Sequence, residues 1–301
     1  MARPLVLGTR GSMLALAQSG QVARAVEAAS GLAVELRVIR TRGDAVQDRP
    51  LAEIGGKGLF TAELEAGLLD GSIDFAVHSL KDLPTDEVPG LRLACFPERV
   101  DPRDVLVGPE LSSLRLGAVV GTGSLRRRVQ LAALRPDLVF EDIRGNIDTR
   151  LRKLEAGQYD AIVLAAAALA RLGLSVPSRP LEPEQCLPAP AQGILGVQCR
   201  AGDGRVLDAL GRLDHPPTRA AALAERAFLS ALSGGCSVPA GALATLRGQT
   251  LQLEAMFARE GAPRRVRVSG AVAEAAQLGQ QAAEALRYSA GQTEAHTAGG
   301  V

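Results

Sequence analysis

The stretch from Val119 to Lys153 repeats one pattern twice, and that pattern limits the folds open to the chain. A short apolar run, Gly117–Val120, ends in Gly121-Thr122-Gly123-Ser124, and a helical pattern follows with Arg126, Arg127 and Arg128 near its start. A second run, Leu138–Phe140, leads to Arg144-Gly145-Asn146 and another helix start carrying Arg150. Strands alternating with helices at this spacing predict a sheet with helical crossovers. Two strand-to-helix junctions then share a sheet edge, where helix N-termini present unpaired N–H donors and partial positive charge. Guanidinium groups add planar forks that match carboxylates or phosphates. Such an edge suits an anion with several negative groups. A solvated basic face is the plainer reading of any charge run, and the repetition of the junction makes it the weaker one.

The N-terminal part follows the same grammar. Leu5–Leu7 reads as a buried strand, Gly8-Thr9-Arg10-Gly11-Ser12 as a turn, and Met13 to Ala29 as a helix with Ser12 as N-cap. Val34–Ile39 closes the unit, placing Arg10 at a junction like the later ones. Thr41–Gly56 is long and polar for a loop in a compact domain, which is the mark of a functional or mobile segment. Gly55-Gly56-Lys57-Gly58 is not a phosphate loop, because Leu51 holds the place of the first glycine and Gly58 that of the required hydroxyl. Lys57 is kept as a loop cation. Helix Leu59–Leu69 and strand Asp74–Val77 lead to His78-Ser79-Leu80-Lys81-Asp82-Leu83-Pro84. Open α/β sheets bind ligands beyond the carboxyl ends of their strands, where this segment falls. Lys81 beside Asp82 offers a carboxylate next to a cation, a usable acid/base or charge-stabilising group. His78, behind an apolar strand, reads as structural.

The prolines of Pro97–Pro102 and Pro177–Pro190 mark two crossings between halves. If the strand Ile194–Gln198 returns to the first sheet, two lobes face each other across a hinge. The expected domains are 1–97 with 194–214, then 98–193, then 215–301. The third reads as a small α+β unit: helix Thr218–Leu232, strands Ala242–Leu246, Leu251–Phe257 and Arg265–Val268, and helix Ala271–Tyr288. Cys236 lies on its Gly-Gly loop, where a thiol is accessible enough to serve as nucleophile or attachment point.

Composition narrows the partners. A net charge of +1, 3% aromatics and no Trp give no support to a nucleic-acid partner. Four cysteines far apart and three histidines argue against a metal site and fit a reducing cytosol. No run is long and apolar enough to span a membrane, and the N-terminus does not read as a signal peptide, so a cytoplasmic location is expected.

Taken in order, these motifs closely resemble the porphobilinogen deaminase family: Gly8–Ser12, Thr41-Arg42-Gly43-Asp44, Gly55–Phe60, His78–Pro84, Gly121–Arg127, Arg144-Gly145-Asn146, Gln192-Gly193 and Gly234-Gly235-Cys236. The resemblance covers nearly the whole chain. It implies two α/β lobes like those of periplasmic binding proteins, joined by a hinge, plus a small C-terminal α+β domain. It further implies an enzyme that adds four porphobilinogen units to a dipyrromethane cofactor held by a thioether to Cys236, loses ammonia at each addition, and frees a linear tetrapyrrole with water. Asp82 is the implied catalytic residue, stabilising the positively charged azafulvene and shuttling protons. The implied cofactor- and substrate-binding residues are Arg10, Ser12, Lys57, Phe60, Ser79, Lys81, Thr122, Ser124, Arg126, Arg127, Arg144, Gly145, Arg150, Arg171 and Gln192; no metal and a monomer are expected. Each pyrrole brings an acetate and a propionate, which accounts for so many cations. Arg128 is read as a surface residue. A non-catalytic two-lobed anion binder would explain the arginines and the hinge but neither Asp82 nor a loop cysteine on a third domain.

Overall fold

The computed structural model describes residues 3–41, 61–232, 238–258 and 261–288. The expectations for Lys57, Phe60, Cys236 and most of the loop Thr41–Gly56 therefore lie outside the described residues. In chain order the first lobe contains β1 (Leu5–Thr9), α1 (Met13–Ser30), β2 (Val34–Val38), α2 (Ala62–Leu69), β3 (Phe75–Ser79) and β4 (Leu91–Cys95). The second contains β5 (Asp104–Val107), β6 (Val119–Gly121), α3 (Leu125–Leu134), β7 (Val139–Glu141), α4 (Ile147–Glu155), β8 (Ala161–Ala165), α5 (Ala166–Leu172) and β9 (Ser178–Leu181). The chain then returns to the first lobe as β10 (Leu195–Arg200) and α6 (Gly204–Gly211).

The two sheets have the same plan. The first has order β2-β1-β3-β10-β4 and the second β7-β6-β8-β5-β9. In each, three parallel strands are followed by an antiparallel one, β10 or β5, that has just arrived from the other lobe. The expected return of the strand after Gly193 is thus observed, and two segments cross between lobes. Pro177–Pro190 is not wholly a crossing: its first part forms β9, paired to β5 alone. Pro180 hides that strand in the sequence, since proline lacks the N–H a ladder needs and is tolerated at a sheet edge. Short β4 and α6 were also unread, because neither carries a clear period.

The crossings touch each other. Val100 N–H donates to Gly193 O at 3.3 Å. Gly193 has φ of +84°, and a Cβ there would lie 2.5 Å from Val100 O, so only glycine fits. Ala191, two residues earlier, also has positive φ (62°). That conformation costs on the order of 1 kcal/mol for a residue with a Cβ. It persists because Glu225 holds the Ala191 N–H.

Glu225 belongs to the third unit: α7 (Pro216–Ala231), the antiparallel sheet β11 (Ala240–Arg247), β12 (Thr250–Phe257) and β13 (Arg264–Ala271), and α8 (Ala275–Tyr288). Its carboxylate is fully buried and takes a two-pronged bond from Arg99 plus the N–H groups of Ala191 and Ala244. The core of this unit includes Leu80, Leu83 and Phe96 of the first lobe. Burial of Leu80 and Leu83 is worth about 1.5–3 kcal/mol each, and it pins the short turn between them. Among the described residues no helix is long and apolar enough to cross a membrane.

Candidate active site

The turn Leu80–Asp82 caps β3. Its first residue, Leu80, and Leu83 just after it pack in the third unit's core, and Lys81 and Asp82 between them border the space between the lobes. That space is a cleft of about 340 Å³. The first lobe lines it with Arg10, Ser12, Gln18, Ser79, Lys81 and Asp82. The second contributes Arg127, Gly145, Asn146, Arg150 and Arg171, and the crossing adds Gln192 and Gly193. The N-terminal ends of α1, α4 and α5 all reach it. Ser12 is the N-cap of α1, its Oγ accepting from Ala15 N at 3.3 Å, as expected.

Five cations (Arg10, Lys81, Arg127, Arg150, Arg171) thus meet one carboxylate, Asp82, among the described residues of the lining. Removal from water disfavours the charge on Arg150, and Arg127 and Arg144 nearby lower its pKa further. Burial lowers Arg171 to about 10. Its Nη2 donates to Gly193 O, while its buried Nε has no hydrogen-bond partner. Burial also lowers Lys81, with Asp82 opposing the change. Cations crowded and desolvated in this way are stabilised by an anionic ligand.

Four expected binding residues do not border the cleft: Thr122, Ser124, Arg126 and Arg144. Arg126 is the clearest departure. The expectation set Arg126 and Arg127 side by side on the ligand, but successive helix residues point about 100° apart and do not share a face. Arg126 turns inward, donating to Asp104 Oδ2 at 2.7 Å and Leu187 O at 2.7 Å. Arg127 donates to Asp104 Oδ1 at 2.7 Å while also bordering the cleft. Arg128 points away, pairing with Asp142 at 2.9 Å, and is the surface residue expected. Thr122 is buried and accepts from Ser124 N. It shapes the junction instead.

Asp104 was missed by sequence reasoning. It is fully buried and also accepts from Gln192 Nε2 at 2.9 Å. Burial alone would raise its pKa, but the Arg126 and Arg127 guanidiniums prevail and hold the carboxyl well below the usual range. Gln192 Oε1 accepts from Lys81 Nζ at 3.3 Å, and its backbone carbonyl accepts from Arg99. One glutamine therefore joins both lobes and, through Arg99 and Glu225, the third unit. Nothing in the local pattern around Asp104, Arg99 or Glu225 signals this, since Gln192 lies 88 residues from Asp104 and 93 from Arg99, and Arg99 lies 126 from Glu225. Gln18 did carry a signal: it is a polar residue on the stripe that also buries Val22 and Val26.

His78 is structural, as expected. It is buried, its Nε2 lies 3.1 Å from Gln198 Oε1, and burial lowers its pKa to about 4. The folded pKa lies below the unfolded value near 6.5. Its neutral form therefore adds stability that is complete above about pH 6.5 and lost as pH falls toward 4. In an NMR titration the His78 ring is expected to stay neutral from pH 8 to 5.5; a midpoint near 6.5 would contradict this.

Comparison with known proteins gives a consistent picture. The family model described as the porphobilinogen deaminase dipyromethane cofactor binding domain matches residues 5–208, and the model of the porphobilinogen deaminase C-terminal domain matches residues 220–288. A porphobilinogen deaminase of Roseiflexus castenholzii is 53% identical over 298 residues, covering 97% of this chain and 98% of that one. One from another Roseiflexus strain is 51% identical over 95% of this chain and 96% of its own. That of Acidothermus cellulolyticus is 49% identical, with 96% and 90% covered.

Proposed function

The chain belongs to the porphobilinogen deaminase family, and from that premise we propose that the cleft between its lobes is where porphobilinogen is polymerised. The enzyme is a transferase of tetrapyrrole and haem biosynthesis that joins four porphobilinogen molecules head to tail, releases ammonia, and yields hydroxymethylbilane after hydrolysis. The observation that carries the assignment to this cleft is its charge: among the described lining residues, five cations about a single carboxylate. A multi-carboxylate chain that develops positive charge at one reacting carbon requires that arrangement.

The donor set fits the family's dipyrromethane. Arg150 and Arg171 are cations whose charge burial disfavours, and the buried Arg171 Nε lacks a partner. In this reading Arg10, Ser12, Ser79, Lys81, Arg127, Gly145, Arg150, Arg171 and Gln192 hold the pyrrole carboxylates. Thr122, Ser124, Arg126 and Arg144 support the junctions behind them, and Lys57 and Phe60 contribute from the loop. When bound through a thioether to Cys236, the dipyrromethane supplies the primer for chain growth. Asp82 stabilises the positive charge that appears on the substrate as ammonia departs, and it takes up the proton released once the carbon–carbon bond has formed. Gln192 Oε1 accepts from the Lys81 ammonium and helps to hold it at the cleft. The domain limits 1–97 with 194–214, 98–193 and 215–301, a monomeric state, a cytoplasmic location and the absence of a nucleic-acid partner complete the proposal.

Intact-mass measurement of the purified protein, with peptide mapping, tests it. An excess of two linked pyrrole units on the Cys236 peptide is expected. An apo-protein should load Cys236 on incubation with porphobilinogen, and continued absence of any adduct would overturn the assignment.

A further inference from the structure

Gln18 and Ser79 stand apart from the charged lining. Gln18 packs on the buried stripe of α1 at 4% exposure, yet it borders the cleft. Its Nε2 donates to Ser79 Oγ at 2.8 Å, joining α1 to the end of β3. Ser79 occupies the N-cap place of the Leu80–Asp82 turn without making a capping bond. A serine there ordinarily turns its oxygen to a backbone N–H; here the Gln18 amide takes it instead. A hydroxyl has one hydrogen. Gln18 occupies one of the oxygen's two lone pairs and fixes the hydroxyl's position, and the hydrogen is what Ser79 offers an anionic group in the cleft it borders. Asp82 lies at the far end of the same turn.

The placement meets a conflict set by the reaction. Substrate carboxylates call for donors, and the long-side-chain donors of the cleft are mostly cations. A cation beside the carbon where positive charge develops opposes that charge. A neutral O–H can hold a carboxylate there without that repulsion. Resting on the functional reading above, we infer that Gln18 is a positioning residue: it orients the Ser79 hydroxyl as the uncharged donor to a pyrrole carboxylate on the Asp82 side of the cleft.

A double-mutant cycle on the holoenzyme tests this. Gln18→Met, Ser79→Ala and the double variant are assayed for kcat and KM with porphobilinogen, alongside Ser79→Thr. Each single change is expected to raise KM about tenfold with kcat within about threefold. The double variant should be no worse than either, because Gln18 acts through Ser79, and Ser79→Thr should keep KM near wild type. An unchanged KM in Gln18→Met, or losses that multiply to about a hundredfold in the double variant, would overturn the inference. Should Gln18→Met fail to fold, Ser79→Ala decides alone: an unchanged KM sinks the proposal. Failure of the wild-type holoenzyme to consume porphobilinogen would instead count against the functional reading itself.

Discussion

Asp82→Asn is expected to reduce turnover on the order of 10³-fold, with pyrrole binding retained. The side chain is exposed to the cleft and is the one carboxylate among its described lining residues. Asn preserves the shape but can neither take up a proton nor offset a full positive charge. Among the described lining residues, five cations would then face the developing charge with no carboxylate to oppose them, so the loss should fall on kcat more than on KM. Stability should scarcely change, since Leu80 and Leu83 anchor the turn independently. Rapid-quench kinetics with mass analysis of enzyme-bound chains separates binding from elongation. Asn-variant turnover within a few-fold of wild type would refute the catalytic assignment.

Asp104→Asn should act in the opposite way, on the fold before the chemistry. Asp104 compensates Arg126 and Arg127, which are buried at 4% and 7% exposure. Removing one partner of a buried ion cluster leaves uncompensated charge and costs about 3–5 kcal/mol. The thermal midpoint is expected to fall by roughly 6 °C or more. Because Arg127 and Gln192 lose their shared partner at the cleft wall, elongation should slow as well. The pH dependence supplies a second check. The folded carboxyl lies below its unfolded pKa near 3.9, so its contribution is present above that value and fades as pH falls beneath it. The Asn variant should lack that part of the acid limb. An unchanged midpoint in calorimetry at pH 7 would mean the cluster is not stabilising.

Much of the lobes was legible in the sequence because their signals are local. Apolar runs ending in Gly-Thr-Arg-Gly-Ser or Gly-Thr-Gly-Ser give strand, turn and helix start within a dozen residues, and each was found near its expected place. The Asp82 segment was legible for the same reason, as polar chemistry at the end of an apolar strand. β9 was not: its ladder exists only because β5 is there to pair with it.

Local spacing carries the alternation of elements, the family motifs and the sign of the charge the cleft gathers, since each depends on neighbours within a turn or two of helix. Which of the two arginines borders the cleft and which turns into the core is set by packing. Arg126 and Arg127 are adjacent and chemically identical, and a 100° helical rotation sends one to Leu187 and the other to the cleft wall. The carboxylate that pairs with both lies more than twenty residues before them, on β5, and the glutamine that joins them to Lys81 is 88 residues from that carboxylate and 111 from the lysine. Burial and partner geometry at such separations are properties of the packed molecule, and no local pattern carries them.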